Sequence, residues 1–412
     1  MTKALFHLRQ FRLLLLVLLC ALFSLPLSAQ EAYVAESEGG STLTFYYDNN
    51  RSSRNGKTWG IDEKSSSSKP VWAGTYEHPN GVVTKVVFDD SFKNYRPITT
   101  NHWFYYFSSL TTIEGLENLN TSAVTDMSEM FVGCSKLTSL NLSNFNTSAV
   151  TDMSVMFKDC YGLKELNVSN FNTSAVTNMS WMFKNCSGLT SLNVSNFNTS
   201  KVTSMWNMFF GCSGLTSLNV SNFNTSAVTD MGGIFYGCTG LTSLNLSNFN
   251  TSAVTNMGLM FSGCSGLTSL NVSNFNTSAV TNMSWMFEDC RYLKELNVSN
   301  FKTSAVAYMY EMFRDCSGLK TIINTQTWQC EKSQDMFKGC TQLKGAVKYD
   351  ESKVDATMAN PTTGYFSQKL PSAIGRVVFD GNNATQIYNL QGKRVNANQR
   401  HPPLLVSTLA MG

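Results

Sequence analysis

The chain has 412 residues, 42% hydrophobic and 14% charged, which is long and apolar enough to bury a sizeable core. Three of its 31 basic side chains lie in residues 1–29, where no acid occurs; beyond that segment 28 basic side chains face 28 acidic ones. That balance leaves no net basic charge to point to nucleic acid, and four histidines, at 7, 78, 102 and 401, give catalysis little to work with.

Residues 1–29 read as a secretory signal peptide. Lys3, Arg9 and Arg12 precede the apolar run Leu13 to Leu22, and small residues come after it at Ser28 and Ala29. Leu19 stands before Cys20 where lipidation needs a small residue, so cleavage near Ala29 is expected instead. The apolar run is short of the roughly 18 residues of a membrane span. The mature chain is therefore expected to have no transmembrane span and to be secreted, extracellular or on a bacterial cell surface.

Residues 30–110 form a β-rich flank. Leu43 to Tyr47 and Val82 to Phe88 have strand character, with a Ser65–Ser68 loop between them. This flank is expected to cap the apolar end of the array that begins at residue 111.

Residues 111–345 make up that array. Cysteine recurs every 26 residues at Cys134, Cys160, Cys186, Cys212, Cys238, Cys264, Cys290 and Cys316, and a fixed period of that size marks a solenoid. In each unit a Leu192-Asn193-Val194 type segment alternates like a short strand. Val202, Met205, Met208, Phe209 and Cys212 then come at helical spacing, with Thr199 or Ser200 as the helix N-cap. The expected fold is α/β: a leucine-rich-repeat solenoid of short parallel strand plus short helix per unit, capped at both ends. Asn144, Asn170, Asn196, Asn222, Asn248, Asn274 and Asn300 sit where each strand must turn, and are expected to form an amide ladder. The repeat cysteines are expected to be buried and reduced; Cys330 and Cys340, in the irregular last unit, are the candidate pair.

The frame Phe-x-x-Cys-x-x-Leu-x-x-Leu-x-Val, as in Phe183 to Val194, resembles the BspA-like leucine-rich-repeat surface proteins of bacteria, as does the phrase Asn-Phe-Asn-Thr-Ser-x-Val-Thr-x-Met. The flank from Leu43 to Phe92 and the segment Asn360 to Tyr365 look like that family's ends. The resemblance implies surface adhesion and binding of host components, without naming a ligand. Residues 346–372 are read as a C-terminal cap and linker, with Trp328 replacing a core position shortly before. Residues 373–412 contain Ile387 to Val395, which resembles the front half of a type IX sorting domain, but Asn398 to Gly412 departs from that pattern.

No histidine lies in the array, so no Ser-His-Asp, Cys-His or histidine-metal constellation can form there. Asp126, Asp152 and Asp230 are spaced by the repeat and are read as helix-start charges. No enzyme, cofactor or metal site is expected. The expected function is adhesion to a host extracellular-matrix or cell-surface protein or glycan, or to a neighbouring cell. The expected site is the strand-face column Asn141, Asn167, Asn193, Asn219, Asn245, Asn271 and Asn297, with Trp181, Trp206 and Trp285 as a further candidate surface. The alternative is a passive surface-layer or spacer protein without a specific ligand.

Overall fold

The computed structural model describes residues 29–368 apart from 38 and 67, and three short strands beyond them. The signal segment and most of the sorting-like segment lie outside the described residues. Five strands open the fold: β1 (Glu31–Glu36), β2 (Thr42–Asp48), β3 (Thr58–Gly60), β4 (Lys85–Phe88) and β5 (Thr112–Glu114). They form one sheet in the order β3-β1-β2-β4-β5. β1 runs antiparallel to its neighbours β2 and β3, and the pairs β2–β4 and β4–β5 are parallel.

That change to parallel pairing carries the sheet into the repeats. The array then continues by parallel bridges of one residue per unit, from Thr99–Asp126 and Asp126–Asp152 through to Asn282–Tyr308. At its far end β6 (Glu295–Asn297), β7 (Thr321–Ile323) and β8 (Phe366–Ser367) form a second parallel ladder. Between these ends the Leu192–Val194 type segment is not a regular strand. Neighbouring units touch near it through isolated bonds, such as Lys164 N–H to the Thr138 carbonyl at 2.9 Å.

The expected helix is absent: the described residues contain no α-helix, and the four helical turns present are short 3-10 segments, of which Leu116–Asn118 alone lies within 111–345, at its start. The periodicity located the buried face correctly, since Val202, Met205, Met208, Phe209 and Cys212 are all fully buried. The backbone reaches that burial differently. The N–H groups of Met205, Asn207, Phe209 and Gly211 donate to carbonyls of Asp230, Gly232, Ile234 and Tyr236 in the next unit, at 2.6–3.1 Å. Those of Met208, Phe210 and Cys212 donate three residues back within their own unit. Such alternation needs left-handed residues, found at Asn207 (φ 55°) and Gly211 (φ 70°), and these are incompatible with an α-helix. The segment is a ribbon of consecutive turns.

Three side-chain ladders run along the stack. Phenylalanine rings from Phe104 through Phe131, Phe157 and Phe183 to Phe337 stack at centroid separations of 5.3–6.0 Å. The asparagine ladder is present: Asn170 Nδ2, for example, donates to the Leu142 and Phe145 carbonyls of the preceding unit at 2.9 and 3.0 Å. It begins one rung earlier than the sequence indicated, at Asn118, whose Nδ2 donates to the Phe88 carbonyl. Thr199 is a clasp and not a helix cap, its Oγ1 donating to the Asn224 carbonyl at 2.9 Å. In the equivalent pair, Thr147 Oγ1 also accepts the Asn172 N–H at 2.8 Å, so both backbone groups of one residue close on one buried hydroxyl.

All ten cysteines beyond the signal segment are free thiols, Cys330 and Cys340 included. Each repeat cysteine donates its S–H to a phenylalanine carbonyl of the preceding unit, as in Cys186 Sγ to Phe157 O at 3.1 Å, and Cys340 extends the column to Phe313 O at 2.8 Å. One continuous apolar core runs from Val34 to Phe366. At its end Trp328 is buried against Phe301, Phe313 and Phe366. No helix among the described residues is long and apolar enough to cross a membrane.

Candidate binding surface

The strand-side asparagines face outward: Asn141, Asn167, Asn193, Asn219, Asn245 and Asn271 are exposed, and Asn297 is half-buried. Each Oδ1 accepts the N–H of the serine two residues on, as in Asn193 to Ser195 at 3.1 Å. The same geometry recurs at Asn141, Asn219 and Asn271 at 3.0–3.1 Å. These turns occupy the acceptor and fix the amide plane. The row therefore offers outward Nδ2 donors at one per unit.

Asp126, Asp152 and Asp230 use the same turn chemistry. Their Oδ1 atoms accept from Ser128, Ser154 and Gly232 at 2.7–2.9 Å, so they brace turns and do not start helices.

The turn ribbon carries the chain's individuality. Units 202–227 and 254–279 differ at four positions alone: Ser204/Asn256, Trp206/Gly258, Asn207/Leu259 and Phe210/Ser262. All four lie on the ribbon, although the strand side is just as exposed.

Trp181 and Trp206 come together here, with ring centroids 5.0 Å apart. Trp206 is 41% exposed and Trp181 half-buried. Lys158 and Lys184 place their Nζ atoms 4.8 and 4.0 Å from the Trp181 ring centre, and Lys184 also lies 4.4 Å from that of Phe210. Phe210 stacks on Tyr236 at 4.1 Å. Burial, then the neighbouring Lys158 charge, pulls the Lys184 ammonium below its ordinary pKa. Trp285 stands apart from this patch, four units along from Trp181, beside Tyr310 at 6.3 Å.

The backbone gives the tryptophans a further meaning. Glu129, Val155, Trp181, Asn207, Gly233, Leu259, Trp285 and Glu311 occupy one column, and all have φ between 52° and 62°. Glycine or asparagine takes that conformation easily, whereas for a bulky residue it costs about 1–2 kcal/mol. Tryptophan at φ 62° and 58° is thus a poor choice for folding alone. Phe210, Tyr236, Lys158 and Lys184 were not singled out from sequence. The signal was the column Val132, Lys158, Lys184, Phe210, Tyr236, Ser262, Glu288 and Arg314, which varies from unit to unit while the phenylalanine before it repeats.

No group of three or more metal-binding side chains occurs among the described residues. His102 Nε2 lies 3.3 Å from Glu129 Oε2 and joins the N-terminal flank to the first unit. The buried repeat thiols are held protonated: desolvation pushes Cys212 and Cys264 up to about 12, and raises Cys134 and Cys186 well above the usual thiol range. They are poor nucleophiles.

Among solved structures, the chain is similar to a leucine-rich repeat protein from Bacteroides ovatus ATCC 8483, with 15% identity over 76% of this chain and 92% of that one, and a TM-score of 0.29. The TLR13–ssRNA13 complex matches at 16% identity over 69% of this chain and 44% of that one, with a TM-score of 0.27. A leucine-rich-repeat protein of Leptospira interrogans matches at 11% identity over 64% and 77%, with a TM-score of 0.21. No curated protein matches the chain. A family model matches residues 100–213, 188–270 and 241–350, overlapping segments that cover the array and more than half of the chain. The chain therefore belongs to the family described as "Mycoplasma protein of unknown function, DUF285".

Proposed function

We propose that the chain is an exported, non-enzymatic leucine-rich-repeat solenoid, closed at both ends by its flanks. It acts as an adhesin at the bacterial surface, holding a host or neighbouring-cell protein or glycan. The observation that carries this reading is the aromatic patch on the turn ribbon, where Trp206 stands in place of the serine or glycine of Ser180, Gly232, Gly258 and Ser284 and stacks on Trp181, itself held at a left-handed φ of 62°. Paired indoles flanked by lysine ammonium groups suit the face of a sugar ring or an aromatic-rich protein loop. The asparagine row supports a second mode, because its regular Nδ2 donors would let an extended partner engage many units at once.

Binding of the purified protein to a panel of matrix proteins and glycans tests the proposal, with circular dichroism as the folding control. Trp181→Ser with Trp206→Ser is expected to weaken binding at least about tenfold, a loss near 1.4 kcal/mol, without unfolding the array. If that variant binds like the parent while Asn193→Glu with Asn219→Glu and Asn245→Glu does not, the site moves to the asparagine row. Failure of the parent to bind any member of the panel supports the spacer role.

A further inference from the structure

A second surface lies at the C-terminal end of the array and owes nothing to the tryptophans. The column that reads Thr190, Thr216, Thr242, Thr268 in the central units becomes Lys294, Lys320, Lys344 in three consecutive ones. Their backbones are locked rung to rung: Lys320 N–H donates to the Lys294 carbonyl and Lys344 N–H to the Lys320 carbonyl, both at 2.9 Å. Lys344 then pairs antiparallel with Lys348. That hairpin is pressed onto the buried end of the core, since Gly345 packs so closely on the Tyr365 backbone that no side chain would fit there. Lys320, Lys344, Lys348 and Tyr349 line a groove of about 860 Å³.

All four lysines are exposed, and none forms an ion pair among the described residues. The nearby carboxylates are otherwise placed: Asp350 faces Lys353 at 3.8 Å, and Glu295 comes after Lys294 in β6 without closing on a lysine. Like charges in adjacent rungs, about 5 Å apart, repel one another. Such a row is unfavourable until something anionic lies along it.

We infer that this lysine row binds a linear anionic polysaccharide carrying sulfate or carboxylate groups. Three rungs span about 10 Å along the stack, comparable to one disaccharide, and the groove extends the contact at Lys348. Towards the N-terminus the same column continues as exposed threonine hydroxyls from Thr268 to Thr190, before one isolated lysine at Lys164, and these hydroxyls suit a hydroxyl-rich chain. A single-stranded nucleic acid would need stacking side chains along its path, and the column supplies none.

The test uses the full chain on immobilised heparin across a range of salt concentrations. Lys320→Thr with Lys344→Thr installs the residue that the column already carries elsewhere. It is expected to weaken binding about tenfold or more at physiological salt and to flatten the salt dependence. Lys320→Arg with Lys344→Arg should keep binding within about twofold of the parent. Trp181→Ser with Trp206→Ser should leave heparin binding unchanged, which separates this site from the aromatic patch. Parental affinity in the double threonine variant overturns the inference. So does equal or tighter binding of single-stranded DNA or anionic lipid vesicles.

Discussion

At the scale of single residues, the buried thiol column shows how a repeated position can be structural and chemically silent. Cys238 is fully buried, and its S–H satisfies the Phe209 carbonyl of the preceding unit at 3.2 Å. Cys238→Ala removes one of that carbonyl's two donors, leaving the Cys212 N–H at 3.1 Å, and opens a small void, and should cost about 1–3 kcal/mol. The midpoint of urea unfolding reads this directly. Thiol labelling of the parent should be slow when folded and fast when unfolded; rapid labelling without denaturant would contradict the assignment. The burial of these cysteines was legible in sequence, because eight equivalent residues cannot all find a disulfide partner without breaking their equivalence. The S–H bond was not legible, because it depends on a carbonyl 29 residues away.

At the scale of the element, the periodicity located the buried face of each unit and misassigned its backbone. Apolar side chains at spacings of 3, 3, 1 and 3 fit a helix, yet a ribbon of turns presents the same side chains inward. What separates the two is the column Gly133, Asp159, Asn185, Gly211, Gly237, Gly263, Asp289 and Asp315, every member of which has positive φ. Glycine, asparagine and aspartate sharing one position is a left-handed signal visible in the repeat itself. The ladder of side-chain amides was readable because asparagine at a strand end has few other uses. Asn196→Ala removes the amide donor to the Phe171 carbonyl at 2.9 Å and one of two donors to the Val168 carbonyl, which keeps the Phe171 N–H, and is expected to cost about 1–2 kcal/mol. Hydrogen exchange offers a complementary reading. The Met205, Asn207 and Phe209 amides, bonded to the next unit, should be protected like those of Met208 and Phe210.

At the scale of the whole molecule, the flanks and the array share one core, so stability passes across their joints. One such joint is His102–Glu129. The hydrogen bond from His102 holds the Glu129 carboxyl below its usual pKa. A depressed carboxylate contributes stability above its unfolded pKa and loses it as pH falls through the folded value. Glu129→Gln should therefore flatten the acid limb of melting temperature against pH while leaving its shape near neutrality unchanged. The order of the array, its parallel pairing and its terminal irregularity could all be read from the period. The proposed aromatic edge was legible only in part: Trp181 and Trp206 stood out because they break the pattern, whereas Lys158, Lys184, Phe210 and Tyr236 did not. Replacing residues 202–227 with a copy of 254–279 puts that edge to the sharpest test, since it alters four side chains, Ser204, Trp206, Asn207 and Phe210, and preserves every ladder. An unchanged circular dichroism spectrum and melting transition are expected, together with loss of adhesion. Loss of folding would contradict the interchangeability of the units, and retained adhesion in a folded protein would contradict the aromatic edge as its site.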